Sequence, residues 1–355
     1  MQHSLAQSLR PDIVCASASL GGYWMKRRDF IALLGASAIA WPLSVVAQSP
    51  DRKWKIGVLW GFTATDPEWS QRFGTFSQAL QELGWAEGKN IAFEIRHAIG
   101  KADQLPALAV DLVTAKVDVI VVNTVGLADL AHRVTTTIPI VVASGGDLEG
   151  SGLVTSLARP GGNVTGLQIL SPTLMSKRVE LLKELVPELT RLAIILPITP
   201  AAIITSRYIE VIEQAAHALG IQVRRIEIRS VEEFAPSFAA MARAGDHAAI
   251  VIANPLSVGN RKDVVASAAA SKLPTIYELR SFVADGGLVS YGPPVLPLYR
   301  DVAGYVDKIL RGAASGDLPV QQPTKFELIF NLETAKALGL SIPPSMLARA
   351  DEVIE

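Results

Sequence analysis

The chain has 355 residues, of which 49% are hydrophobic, and 33 basic and 34 acidic residues leave a formal charge of −1. A charge balance of this kind provides no extended basic surface for nucleic acid or an anionic membrane. The length corresponds to about two domains of roughly 150 residues each. Cys15 is the single cysteine, which excludes an intrachain disulfide and a multi-thiolate metal site.

The N-terminal region has the order of features found in a secretory signal peptide. Basic residues 26–28 precede the apolar segment 31–40, which is too short to span a bilayer, and small residues follow as far as Ala47. The paired arginines of the basic stretch resemble a twin-arginine export signal. We therefore expect residues 1–47 to be an upstream extension plus a signal peptide cleaved near Ala47, and the protein to be periplasmic. The alternatives are a buried N-terminal helix or a membrane anchor.

Strand and helix patterns alternate along the rest of the chain in two successive series. Strands of the first series are predicted at 55–60, 91–95, 117–122 and 138–142, and those of the second at 192–196, 221–228, 248–253 and 274–277. Short apolar strands separated by helices are typical of parallel sheets covered on both faces. The pattern predicts an α/β protein with two doubly wound parallel-sheet lobes.

Three segments rich in glycine and proline interrupt these series, at 159–166, 285–292 and 316–319. Three breaks in a two-lobed chain predict three crossings between the lobes and therefore a three-segment hinge. The alternative is that these breaks are ordinary surface turns. The residues that we expect at the hinge are Asn163, Thr165, Gly166, Ser290 and Tyr291.

The predicted crossings divide the chain into two discontinuous lobes. The first lobe is expected to comprise 53–165 with about 289–320. The second is expected to comprise 166–288 with about 321–355.

The motifs of common catalytic chemistries are missing from the sequence. It contains no His-Glu-x-x-His pair, no G-x-S-x-G elbow, no P-loop, and no G-x-G-x-x-G directly after a predicted strand. The histidines are scattered singly, as expected for surface or structural residues. We therefore expect no catalytic residue, no metal site and no cofactor. An acid–base enzyme remains the alternative, because carboxylates distant in sequence can meet in the folded chain.

Candidate ligand-binding residues follow the predicted strands, because ligands of open parallel sheets bind beyond the carboxyl ends of the strands. These residues are Trp60, Phe62, Thr63, Asn123, Thr124, Ser144, Asp147, Thr199, Asn254, Tyr277 and Glu278. Amides and hydroxyls would bind a carboxylate, an acid would pair with an ammonium, and aromatic rings would stack on an apolar group. The set predicts a small zwitterion or a polar aromatic solute.

Each candidate also has an ordinary structural role as its alternative. Trp60 and Phe62 could belong to the core. Asn123 and Thr124 could cap the helix that follows them. Asp147 could be a turn residue.

Four sequence blocks resemble a known family. They are 84–90 (GWAEGKN), 152–166 (GLVTSLARPGGNVTG), 286–292 (GGLVSYG), and 331–340 followed by 350–352 (ADE). On these blocks the chain is similar to substrate-binding proteins of bacterial ABC importers, in the group that includes tryptophan- and aromatic-amino-acid-binding members. The similarity extends from about Lys53 to the C-terminus.

The resemblance implies a type I periplasmic-binding-protein fold with a small organic solute, an amino acid or aromatic compound, held between the lobes. It implies binding without catalysis, delivery to an ABC permease and its ATPase, and contact with the membrane only through that permease. No nucleic-acid partner is expected. The alternative function is a periplasmic sensor that presents the same cleft to a receptor.

Overall fold

Two β-sheets organise the part of the chain that the computed structural model describes, which is residues 52–97, 104–169, 172–198 and 206–355. The predicted signal peptide, Cys15 and Thr199 lie outside the described residues. Within those residues, no helix has both the length and the apolar character needed to cross a membrane.

The first sheet has five parallel strands in the order β2-β1-β3-β4-β5. The strands are β1 (Trp54–Trp60), β2 (Ile91–His97), β3 (Val119–Val122), β4 (Ile140–Gly145) and β5 (Val164–Gln168). Its helices are α1 (Pro67–Glu82), α2 (Leu105–Thr114) and α3 (Val125–Val134), joined by a helix from much later in the chain, α10 (Val295–Leu310). Together these elements form the first lobe.

The second sheet has seven strands in the order β12-β11-β10-β9-β8-β6-β7, in which only the β10–β11 pair is antiparallel among the described strands. Its strands are β6 (Arg191–Pro197), β7 (Gln222–Ile228), β8 (Ala248–Val251), β9 (Thr275–Tyr277), β10 (Val289–Gly292), β11 (Glu327–Asn331) and β12 (Glu352–Ile354). Its helices are α4 (Pro172–Leu185), α5 (Ser206–Ala218), α6 (Phe234–Arg243), α7 (Pro255–Gly259), α8 (Arg261–Ala270), α9 (Arg280–Ala284), α11 (Leu332–Ala337) and α12 (Pro344–Leu347). Together these elements form the second lobe.

Helices cover both faces of each sheet, because successive strand residues point to opposite faces and are apolar on both. In the first lobe, α1 and α10 pack on one face through residues such as Phe76 and Val302. On the other face, α2 and α3 pack through Leu112 and Leu127. The second sheet is likewise buried between two apolar clusters. The predicted α/β class with two doubly wound lobes is confirmed.

The chain passes between the lobes after β5, between β10 and α10, and again before β11. Two of these crossings lie a few residues from their predicted positions. β5 continues to Gln168 beside β4, so residues 166–168 belong to the first sheet. Ser290 pairs with Tyr277 and Ile329, so β10 belongs to the second sheet. The two lobe boundaries are set by backbone pairing between strands. The glycine-rich composition of the breaks does not indicate which strands pair.

Two of the expected hinge residues contact the third crossing segment directly. The Thr165 hydroxyl donates a 2.6 Å hydrogen bond to the carbonyl of Leu318. The backbone N–H of Gln321 donates to the carbonyl of Gly166 at 3.0 Å. Gly166 itself has φ of 128°, and a Cβ built on it would lie 2.2 Å from the carbonyl oxygen of Val142. Only glycine fits this close approach of β5 to β4.

The other expected hinge residues have different surroundings. The Asn163 side-chain amide donates to the carbonyls of Thr135 and Ile138, so Asn163 fixes a loop inside the first lobe. Ser290 lies within β10. Tyr291 adjoins the second crossing, and its carbonyl accepts a 2.8 Å hydrogen bond from Nε of Arg178 on α4. Of Ser290 and Tyr291, only Tyr291 adjoins a crossing segment, and its role in a hinge stays a prediction.

Candidate ligand-binding cleft

A cavity of about 50 Å³ lies between the two lobes at the carboxyl ends of their strands. Its polar and aromatic lining consists of Phe62, Arg72, Asn123, Thr124, Ser144 and Asn254, and apolar side chains from both lobes complete it. The first five of these residues belong to the first lobe, and Asn254 belongs to the second. The position agrees with the general rule for ligand crevices in open α/β sheets.

The lobes contact each other beside this cavity. A Cβ built on Gly61, directly after β1, would lie 2.6 Å from Cγ of Pro255 at the start of α7. Ligand pockets for small molecules usually have volumes of about 300 Å³ or more. The two lobes are therefore in contact here, and the cavity between them is smaller than a usual ligand pocket.

Asn123 ties together the loops at the ends of three strands. Its Oδ1 accepts a 2.9 Å hydrogen bond from the backbone N–H of Gly61, and its carbonyl accepts one from the Ser144 hydroxyl at 2.9 Å. The next residue, Thr124, caps α3 by accepting from the N–H of Leu127 at 3.2 Å. The capping role anticipated for Thr124 is thus present, and both residues also line the cavity.

Asn254 has the corresponding position in the second lobe. Its Oδ1 accepts from the N–H of Ser257, while the Ser257 hydroxyl accepts from the N–H of Asn254, which forms a capping box at the start of α7. The Nδ2 of Asn254 also donates to the carbonyl of Pro197 at the end of β6. These bonds give the side chain one defined orientation at the edge of the cavity.

Arg72, on the second turn of α1, also lines the cavity and was not among the predicted residues. Only 4% of it is exposed, and its guanidinium lies 5.1 Å from the ring centroid of Phe62. Burial lowers the pKa of Arg72, but Tyr299 and Glu68 raise that pKa by more, so the guanidinium stays charged. The sequence signal for such a residue is a basic side chain inside the apolar stripe of a helix.

Five of the predicted residues within the described chain lie outside the cavity lining, and three of them are not acidic. The indole of Trp60 packs against Trp69 and Tyr299, with ring centroids 5.2 and 5.3 Å apart, so Trp60 belongs to the core as its alternative role required. The ring of Tyr277 stacks on Phe282 at 4.7 Å beneath α9. Thr63 is exposed, and its hydroxyl bonds to that of Thr65. Trp60 and Tyr277 lie at strand ends as predicted, but their side chains point into the core and not into the cavity.

The two predicted acids do not line the cavity, and each has an arginine within ion-pair distance. Oδ1 of Asp147 accepts from the N–H of Gly150 in a turn, and its Oδ2 lies 4.0 Å from the guanidinium of Arg207 in the second lobe. Glu278 is 3% exposed and its Oε1 lies 3.4 Å from Nη1 of Arg178. Burial raises the pKa of Glu278, and the charge of Arg178 opposes this shift.

Within the residues that the structure describes, no group of three or more histidine, cysteine, aspartate or glutamate side chains could hold a metal ion.

Two doubly wound lobes, three crossing segments and a cavity between the lobes define a type I periplasmic binding protein. The chain belongs to the ABC transporter substrate binding protein family, whose model matches residues 63–354. The predicted family is confirmed.

Individual relatives show the same similarity. A curated tyrosine-binding protein from Clostridioides difficile is 27% identical over 266 residues, which is 75% of each chain. Two solved structures superpose over 85% of this chain and 100% of their own. They are a conserved domain protein from Vibrio cholerae, with 26% identity and a TM-score of 0.78, and an ABC domain in complex with L-Trp from Streptococcus pneumoniae, with 25% identity and a TM-score of 0.77.

Proposed function

We propose that the protein binds a small aromatic solute that carries a carboxylate, and presents it with closed lobes to the permease and ATPase of an ABC importer. The observation that carries this proposal is the cavity lined by Phe62, Arg72 and Asn123 from one lobe and Asn254 from the other. A solute that bridges both lobes stabilises the closed state, because it makes its full set of contacts only there.

The chemistry of the lining supports the aromatic and anionic parts of this solute. Phe62 offers an aromatic surface, and Arg72 places a buried cation beside it. Amide and hydroxyl groups at the strand ends can orient a polar solute. The relatives agree, since one is a tyrosine-binding protein and another was crystallised with L-Trp.

The proposed site of action is the periplasm. The order of basic, apolar and small residues in 1–47 supports export, and delivery to an importer requires the binding protein on the outer side of the membrane. Edman sequencing or mass spectrometry of the periplasmic fraction should find an N-terminus near Gln48. A full-length cytoplasmic protein would contradict this part of the proposal.

Titration calorimetry with L-tyrosine, L-tryptophan and L-phenylalanine tests the binding function, with L-alanine and glucose as non-aromatic comparisons. We expect at least one aromatic compound to bind and to be recovered chemically unchanged. The Phe62→Leu variant should bind it about 2- to 10-fold more weakly, because the ring contact is lost. Phe93→Leu, which changes a partly buried ring elsewhere in the first lobe, is the control and should leave affinity unchanged. Lack of binding by every aromatic probe, or consumption of the solute, would overturn the proposal.

A further inference from the structure

Arg72 carries a buried charge whose hydrogen-bonding capacity is incompletely used. Its Nη2 donates to the carboxylate of Glu68 one turn earlier on α1. Its Nε is buried and makes no hydrogen bond in the described part of the chain. A buried donor without a partner costs about 1–3 kcal/mol, and more when the group is charged. A carboxylate in the adjoining cavity would remove this cost by accepting from Arg72.

No carboxylate lines the same cavity within the described residues. Three acids outside this lining lie within ion-pair distance of arginines, namely Asp147 of Arg207, Glu278 of Arg178, and Glu68 of Arg72, although Oε1 of Glu278 accepts no hydrogen bond among the described residues. Segments 170–171 and 199–205, which the structure does not describe, contain no ionisable side chain, whereas the undescribed segment 98–103 contains Lys101 and Asp103. Among the described residues that line the cavity, Arg72 therefore has the only charged side chain, and its charge is positive.

Glu68 does not line the cavity and already has two cationic neighbours, which makes it a poor partner for a solute ammonium. Besides Arg72 on its own helix, it lies 3.8 Å from Nη1 of Arg261 on α8 of the second lobe. Arg261 is in turn paired with Asp285. An ammonium that entered the cavity would lose its hydration beside a guanidinium and gain no free carboxylate, which is unfavourable.

We propose that Arg72 selects the solute through its carboxylate, and that an aromatic acid without an ammonium group binds at least as tightly as the corresponding amino acid. This inference rests on the proposed function, since it specifies the solute class for the same cleft. In this proposal Arg72 of the first lobe binds the carboxylate of the solute. The second lobe closes over the solute and completes the shape of the cavity.

Three probes with the same ring and different charges test this inference. They are 3-(4-hydroxyphenyl)propanoate with a carboxylate only, tyramine with an ammonium only, and L-tyrosine with both. For the unmodified protein we expect the propanoate to bind at least as tightly as tyrosine, and tyramine to bind at least about 100-fold more weakly. Each affinity is measured by calorimetry, or by competition where binding is weak.

Variants of Arg72 show whether this side chain causes the selectivity. Arg72→Gln should weaken propanoate binding by about 10- to 100-fold and leave tyramine binding unchanged or stronger. Arg72→Lys keeps the charge, and its affinity for the propanoate should lie between those of the unmodified protein and the Arg72→Gln variant. It also provides a folded comparison if the glutamine variant is unstable. Arg133→Gln removes an exposed arginine from another i,i+4 ion pair, with Asp129, and should change no affinity.

Several outcomes would overturn the inference and leave the proposed function intact. One is tyrosine binding about 10-fold tighter than the propanoate, which would mean that the site recognises the ammonium. Another is an equal loss for all probes in Arg72→Gln, which would mean that Arg72 only supports the fold. Failure of these three probes and of L-tryptophan and L-phenylalanine to bind would instead overturn the proposed function itself.

Discussion

The carboxylate of Glu68 on α1 and the guanidinium of Arg261 on α8 face each other across the cleft, with Oε1 and Nη1 3.8 Å apart. Glu68 also accepts a hydrogen bond from Arg72, which lines the cavity. The carboxylate of Glu68 therefore contacts both Arg72 of the cavity lining and Arg261 of the second lobe. Under the proposed function this contact would be lost when the lobes separate, and it would therefore favour the closed state.

Replacing Arg261 with methionine should weaken solute binding by about 3- to 10-fold, because a partly buried ion pair of the closed state is lost. Calorimetry with the best aromatic probe measures this change, and small-angle scattering should show a larger radius of gyration at subsaturating solute. Arg280→Met is the matched control, since Arg280 pairs with Glu352 inside the second lobe. Equal affinities for the Arg261→Met variant and the unmodified protein would show that the pair does not contribute to closure.

Gly61→Ala should obstruct closure without preventing folding. The added Cβ would lie 2.6 Å from Cγ of Pro255 in the other lobe, whereas separated lobes leave room for it. We expect solute affinity to fall by about 10-fold or more, and the melting temperature without solute to stay nearly constant.

Gly74→Ala is the control for this substitution, because a Cβ at Gly74 on the same lobe meets no atom within 4 Å. It lies in the interior of α1 and should stabilise the protein by up to about 1 kcal/mol. Unchanged affinity in Gly61→Ala would mean that the solute-bound lobes are farther apart than in this structure.

Gly166→Ala is expected to destabilise the protein by about 3 kcal/mol or more, because the side chain would displace the β4 backbone and strain a positive φ. The clash is with the carbonyl of Val142 within one lobe, so opening the cleft cannot relieve it. Urea unfolding measures the loss in free energy of unfolding. Gly162→Ala, where a Cβ meets nothing within 4 Å, should be close to neutral. A mild effect at Gly166 would contradict the close approach of β5 and β4.

Tyr305 should make the stability of the third crossing depend on alkaline pH. Its hydroxyl donates a hydrogen bond to the carbonyl of Pro319, and burial raises its pKa to about 12. The folded state therefore holds this proton more tightly than the unfolded state, whose tyrosines titrate near pH 10. The stabilisation is complete below about pH 10 and is lost as the pH rises through about 12.

Comparison of the protein with its Tyr305→Phe variant isolates this effect from other titrating groups. The variant should be about 1 kcal/mol less stable near neutral pH, because the Pro319 carbonyl loses its donor. The difference should shrink between about pH 10 and about pH 12 in urea unfolding experiments. A difference that is independent of pH would contradict the raised pKa.

The alternation of apolar strands and amphipathic helices was sufficient to predict the class of fold. The spacing of apolar residues within each segment indicates its secondary structure and which of its faces are buried. The same periodicity located the strand ends, and with them Phe62, Asn123, Thr124, Ser144 and Asn254 in the cavity lining. Their loops converge because parallel strands end at one edge of the sheet.

Which side chains at those ends face the solute depends on contacts between segments far apart in the sequence. Tyr277 stacks on Phe282, while Asp147 and Glu278 are held by arginines from other helices. Arg72 reaches the cavity from the side of α1, and the strand-end rule considers only residues that directly follow a strand. The local sequence therefore establishes the two lobes and the edge where they meet. The charge of the cleft emerges only when both lobes pack, because burial and ion pairing are properties of the assembled neighbours.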